Sequence, residues 1–231
     1  MSDTFNEGVN LYKMRNYKDA LAVFLSISQD ENVNNIDLAY YVGLSYARLK
    51  RYDEALLYLE QVVTSGQDVK RIYQCRMTLA VIYTKTDRPR LADYELKKLT
   101  ESGYQTPEVL VALAYTAWVQ GNKEESIELY EKVLVVAPEN TTALNGLGYV
   151  LACLDRDLTR ALSLCKKAVD MNPENPAFLD SLGWVYYKLG LMKEAKNYIK
   201  RARDKDSKSP EIAEHFSEIS LMEEGKTNVK F

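Results

Sequence analysis

The chain has 231 residues, 46% hydrophobic and 27% charged, and its 30 basic and 33 acidic side chains leave a formal net charge of −3. That balance argues against a nucleic-acid-binding surface, which needs a basic excess, and no run of about 18 apolar residues encodes a membrane-spanning helix. Three cysteines without close spacing, Cys75, Cys153 and Cys165, argue against a disulfide framework or a zinc site and for a reducing compartment.

The start, MSDTFNEGVNLYK, is acidic and polar. It lacks the basic-then-apolar layout of a secretory signal, so a cytoplasmic location is expected, with a trimmed exported chain as the alternative. From there the chain repeats itself. Residues 2–34 carry Gly8, then Ala20, Phe24 and Ile27. Residues 36–69 carry Gly43, Ala55, Leu59 and Val62, and residues 71–104 carry Ala80, Ala92, Leu96 and Leu99. Residues 106–140 give Ala114, Ser126, Tyr130 and Val133; residues 141–175 give Gly148, Ala161, Cys165 and Ala168; residues 176–208 give Gly183, Ala195, Ile199 and Ala202. The first small residue recurs at steps of 35, 37, 34, 34 and 35, and is followed three residues later by Leu11, Tyr46, Tyr83, Ala117, Leu151 and Tyr186. Each unit therefore predicts two amphipathic helices. Asn16, Gly121, Asp155 and Gly190 mark the turns between them, and Pro138 and Pro173 end two of the second helices. A helical glycine costs roughly 1 kcal/mol against alanine, so its recurrence implies that close packing returns at least that much. Residues 209–224 predict one further amphipathic helix, capping the last repeat, and 225–231 a flexible tail.

These columns resemble the tetratricopeptide repeat family, whose pattern is Trp-x2-Leu-Gly-x2-Tyr, then Ala-x3-Phe-x2-Ala, then Pro. The closest unit reads Leu179-x2-Leu182-Gly183-x2-Tyr186, then Ala195-x3-Ile199-x2-Ala202. The resemblance covers about residues 2–205 and implies an all-α, right-handed α-solenoid with a concave inner groove. It also implies which first-helix residues line that groove. They form three columns: Phe5, Tyr40, Met77, Val111, Asn145, Asp180; Val9, Leu44, Val81, Tyr115, Tyr149, Trp184; Tyr12, Ala47, Thr84, Trp118, Ala152, Tyr187. Asp180 is the one charged residue among these 18, where the composition would supply about five. A fourth column, Lys13, Arg48, Lys85, Val119, Cys153, Lys188, is a candidate basic rim, although cations near helix C-termini are favoured by the dipole alone.

The expected site is therefore a partner-binding groove of Tyr40, Leu44, Tyr115, Trp118, Asn145, Tyr149, Asp180, Trp184, Tyr187 and Lys188. Aromatic side chains in such a groove give large contact area at low entropic cost. The plainer alternative is that they pack between adjacent first helices, or that the capping helix or a symmetry mate fills the groove. The partner implied is another protein, contributing an extended or helical peptide segment. The second reading is a homo-oligomer whose groove holds a neighbouring copy. Nucleic acid and direct membrane insertion are not expected. Pairs such as Phe5–Val9 and Tyr40–Leu44 stand where some family members carry a carboxylate clamp, so an acidic chaperone tail is not the expected ligand.

No catalytic, metal or cofactor site can be assembled. The sole histidine, His215, reads as a surface or half-buried residue of the capping helix, and one histidine supports neither a triad nor a metal centre. Gly146-Leu147-Gly148 lies inside a repeat helix without a preceding strand, so it fails as a dinucleotide fingerprint. Asn140-Thr141-Thr142 spells a glycosylation sequon only. The run of Lys and Arg from Lys193 to Lys205 reads as a solvated face. A non-enzymatic scaffold is the expectation.

Overall fold

The structure, a computed structural model, describes residues 3–28 and 31–227, with side chains described as far as Leu221. Among these residues the regular elements are thirteen α-helices. The chain divides into two compact units, residues 1–105 and 106–231. The first holds α1 (Asp3–Lys13) and α2 (Tyr17–Ser26), α3 (Asn35–Arg48) and α4 (Tyr52–Ser65), and α5 (Val69–Lys85) and α6 (Pro89–Glu101). The second holds α7 (Pro107–Val119) and α8 (Lys123–Val136), α9 (Thr141–Cys153) and α10 (Leu158–Met171), α11 (Pro176–Lys188) and α12 (Met192–Lys205), and finally α13 (Pro210–Thr227). In each unit the two helices of a pair pack together, each second helix packs on the next first helix, and successive first helices touch. This is the all-α solenoid arrangement. Of the expected tail 225–231, residues 225–227 instead continue α13, and 228–231 lie outside the described residues.

The start and stop signals are local. Side chains of Asn34, Asp68, Thr106, Asn140, Asp157 and Asn175 accept hydrogen bonds from backbone N–H groups in the first turns of α3, α5, α7, α9, α10 and α11, satisfying donors that the helix leaves open. Each first helix ends the same way. A residue in the left-handed region follows it: Arg15, Lys50, Asp87, Gly121, Asp155 or Gly190. The next N–H then donates back to Leu11, Tyr46, Tyr83, Ala117, Leu151 or Tyr186, the six residues of one sequence column. The carbonyl of that column therefore closes a Schellman turn. Four of the turns use a long or acidic residue, Arg15, Lys50, Asp87 or Asp155, in place of glycine, and Asn16 is the N-cap of α2 rather than the turn's left-handed residue.

Packing of a first helix on its second helix rests on the small columns. Ala20, Ala55, Ala92, Ser126, Ala161 and Ala195 are all fully buried, at 0% exposure. Opposite them, a β-carbon built on Gly148 would stand 2.5 Å from Cys165 Sγ and 3.0 Å from the Ala161 carbonyl oxygen, and one on Gly183 3.1 Å from the Ile199 nitrogen. Backbone cannot step aside as a flexible side-chain tip can, so these glycines are required by proximity. The large column behind them, Phe24, Leu59, Leu96, Tyr130, Cys165 and Ile199, is buried throughout. Ile27 differs from its counterparts because α2 ends at Ser26 and Ile27 is its C-cap.

Two substitutions test this account with opposite signs. Ser126 Oγ is buried with no hydrogen-bond partner among the described residues, in a column that is otherwise alanine. Ser126→Ala removes that stranded hydroxyl and raises stability by about 1 kcal/mol. Gly148→Leu overfills the α9–α10 contact and lowers stability by about 1–3 kcal/mol. Denaturant midpoints of the two variants against the unaltered chain read both effects.

Candidate functional site

In the second unit α7, α9, α11 and α13 lie in sequence as neighbours. Their facing side chains make one continuous aromatic and acidic surface. Trp118 of α7 meets Tyr149 of α9 edge-on, with ring centroids 6.2 Å apart at 80°. Trp184 of α11 packs against Tyr187 at 5.0 Å, and Lys188 Nζ stands 5.8 Å over the Trp184 ring. Lys188 also pairs with Asp155 at 3.0 Å. The helical spacing of Trp184 and Tyr187 puts them on one side of α11, while Tyr186 turns to the interior and stacks on Tyr198 of α12 at 5.5 Å.

The dominant feature is α13. Its His215 Nδ1 lies 3.0 and 2.9 Å from the two carboxylate oxygens of Asp180. An ionised carboxylate only accepts, so Nδ1 carries the proton and donates. The imidazole stacks on Trp184 with centroids 4.2 Å apart at 21°, and its other ring neighbour is Tyr149 at 5.9 Å. Asp180 and His215 are both buried, at 6% and 8% exposure. Burial of a carboxylate is costly unless it is paired, and the imidazole supplies the pairing. Glu211, one turn earlier on α13, faces Tyr115 and Tyr149; Glu218, one turn later, faces Tyr187. Tyr115 is held above the ordinary tyrosine pKa by burial first and then by Glu211, Tyr149 by burial first, then by Cys153 and only after that by Glu211 and Asp180, and Tyr187 by partial burial and Glu218. Positions 211, 215 and 218 therefore form one face of α13, which packs against α12 and α11 and turns that face toward the α9 and α11 aromatics.

Beside the first turn of α13 a cavity of about 260 Å³ remains open. Tyr115, Trp118, Asn145 and Tyr149 line it from α7 and α9, and Asp180 and Glu211 close it from α11 and α13. The Asn145 Oδ1 atom is buried with no hydrogen-bond partner among the described residues. The Trp184 indole N–H is in the same condition by ordinary geometry; its polar neighbour is the Cys153 thiol, a weak acceptor.

The expected groove residues thus separate. Tyr115, at 41% exposure, is open to solvent, and Trp118, Asn145, Tyr149, Tyr187 and Lys188 are half-buried. Asp180 and Trp184 are not free for a partner, because α13 covers them. Tyr40 and Leu44, in the first unit, are interior residues. Tyr40 donates to Gln74 Oε1 at 2.7 Å, and Arg71 lies over its ring at 5.1 Å. The close approach of α3 to α5 is what buries them. Leu44 is 3% exposed and lies at the base of a separate cavity of about 410 Å³ with Arg48, Met77, Val81 and Lys85. His215 is a central residue of the site, against the expectation of a surface or half-buried position. One signal would have found it: His215 follows Asp180 by 35 residues, which continues the Asn145–Asp180 column into α13.

No group of three or more His, Cys, Asp or Glu side chains among the described residues is arranged to hold a metal ion. Burial pushes the Cys75 thiol up to about 12 and raises those of Cys153 and Cys165, so none is a thiolate nucleophile at neutral pH. No helix among the described residues is long and apolar enough to cross a membrane.

Comparison with known proteins agrees with this architecture. A tetratricopeptide repeat family model matches residues 5–69 and 111–176, and a second tetratricopeptide model matches 154–214. A TPR repeat-containing protein of Pseudomonas aeruginosa is 36% identical over 118 residues, which are 49% of this chain and 20% of that protein. The chain therefore spans about a fifth of that relative's length. Among solved structures, a tetratricopeptide repeat protein from Parabacteroides merdae aligns with a TM-score of 0.68 at 15% identity, over 94% of this chain and 83% of that one. The Cut9–Hcn1 hetero-tetramer of the APC/C aligns with a TM-score of 0.74 at 12% identity, over 94% of this chain and 42% of that one. MamA aligns with a TM-score of 0.53 at 23% identity, over 77% of this chain and 96% of that one. At these identities the structures speak for the fold alone.

The His215–Asp180 contact has a measurable weight. His215→Ala strands a buried carboxylate and lowers stability by about 1–3 kcal/mol. Asp180→Ala combined with it costs less than the two single changes added, since both remove one interaction. Denaturant midpoints of the double-mutant cycle give the coupling, and Trp184 emission shifts to the red in His215→Ala as the stacked ring is lost.

Proposed function

Since the chain belongs to the tetratricopeptide repeat family, whose fold is a scaffold for protein–protein interaction, we propose that it is a non-enzymatic adaptor that receives a segment of a partner protein on the first-helix face of its second unit. The carrying observation is the exposed aromatic and apolar surface of α7 and α9 beside the open cavity. Tyr115 and Val119 are 41% and 45% exposed, and Trp118 and Tyr149 stand next to them. Large side chains of this kind, set around a concavity, are the anchors that dominate interface energies. The neighbouring α11 surface is already taken by α13, whose acidic and aromatic contacts there support a helical segment as the partner's form. That seating also favours a second reading, in which a neighbouring copy contributes the helix. The Cut9–Hcn1 assembly is a precedent for this fold in a complex of unlike chains.

The test compares proteins that co-purify with the unaltered chain and with a Tyr115→Ala, Trp118→Ala variant whose helicity is unchanged by circular dichroism. A partner recovered only with the unaltered chain, with affinity reduced by at least about tenfold in the variant, is the expected result. Identical recoveries sink the proposal. Light scattering at several concentrations separates self-association from binding of an unlike partner.

A further inference from the structure

The cavity in the second unit combines electron-rich rings, carboxylates and an unpaired amide oxygen, and none of its lining residues is Lys or Arg. Tyr115, Trp118 and Tyr149 present aromatic surface. Glu211 enters from the first turn of α13 and has no ion-pair partner among the described residues, while Asp206 lines the rim. Asp180 also contributes, although its carboxylate already accepts the hydrogen bond from His215 Nδ1. Asn145 Oδ1 is buried and has no donor among the described residues. All of these groups favour the same kind of guest. Aromatic faces attract cations through the ring quadrupole, carboxylates attract them by charge, and an amide oxygen only accepts.

We propose that this cavity is a receptor for a cationic side chain of the partner segment, and that arginine is the side chain it fits. Arginine alone offers a planar face for stacking together with five N–H donors in a rigid fork. The guanidinium lies against the Tyr115, Trp118 and Tyr149 rings, donates to Asn145 Oδ1 and faces the Glu211 carboxylate. The assignment rests on the protein-binding reading above and narrows it. The partner segment carries an arginine among apolar residues rather than being acidic.

The experiment needs no partner. The intact chain is titrated with N-acetyl-arginine amide, and in parallel with N-acetyl-citrulline amide, which has nearly the same shape but no charge. Binding is read from the two indole N–H resonances and from tryptophan emission. The expected result is a saturable shift of the Trp118 indole with the arginine compound. The citrulline compound binds about threefold to tenfold more weakly, as for a partly exposed cation–π contact. Glu211→Gln, a change at an exposed position, weakens the arginine compound by a similar factor while leaving helicity unchanged, and added salt does the same. No saturable shift, equal affinity for the two compounds, or indifference to Glu211→Gln overturns the assignment. Such a failure leaves the co-purification result of Tyr115→Ala, Trp118→Ala standing, so the two proposals fail separately.

Discussion

Where α9 crosses α10, the Gly148 backbone comes so near to Ala161 and Cys165 that a single added carbon would collide with both. A small residue stands at this contact in every hairpin, Gly or Ala on the first helix and Ala or Ser on the second, and a β-carbon is accommodated where the first is Ala80 or Ala114. It sets how deeply Phe24, Leu59, Leu96, Tyr130, Cys165 and Ile199 can be buried. Close approach brings more atoms into contact than the glycine costs in helix propensity. It also fixes the position of each hairpin relative to its neighbour within a unit, because interiors packed at this density have few alternative arrangements. The surface presented by successive first helices inherits its geometry from those crossings.

The last helix shows what such a surface accepts. α13 packs against α11 and α12, and it places His215 between Asp180 and the Trp184 ring. A lone carboxylate at 6% exposure would be a liability in a surface that is otherwise aromatic. With the imidazole it becomes a specific anchor that fixes the lateral position of α13, as buried polar pairs can. The polar atoms nearby are less well served. Asn145 Oδ1 and the Trp184 indole N–H are left without good partners. α13 therefore packs on the hairpin before it while leaving, beside its first turn, a cavity whose chemistry is incompletely answered by the protein itself.

Charge separates the cavity at Leu44 from the one at Tyr115. One cavity of the first unit is lined by Arg48, Lys50 and Lys85 around Leu44, Met77 and Val81, whereas that of the second described above is lined by Asp180, Asp206 and Glu211 around tyrosines and a tryptophan. A chain with nearly balanced overall charge thus carries two local fields of opposite sign. Local fields of this kind choose partners and set encounter rates more than they set affinity.

The sequence by itself determined the helical hairpins and their packing columns, and marked the turns at Gly121, Asp155 and Gly190. These depend on spacing along one chain: small residues about 35 apart, a second small column 12 or 13 later, and side-chain caps that act within three residues. It also singled out the aromatic character of the α7, α9 and α11 faces. It did not reveal that Tyr40 and Leu44 are interior. A first-helix column states a direction around one helix, and only the approach of α5 to α3 turns that direction into burial. Nor did it assign His215, which as a lone histidine on an amphipathic helix carries no pattern of its own. Its role exists only because tertiary packing carries α13 back across residues 35 positions earlier and sets an imidazole on a carboxylate and an indole. Pairwise chemistry of that kind depends on distances between helices, and those are decided when the helices pack.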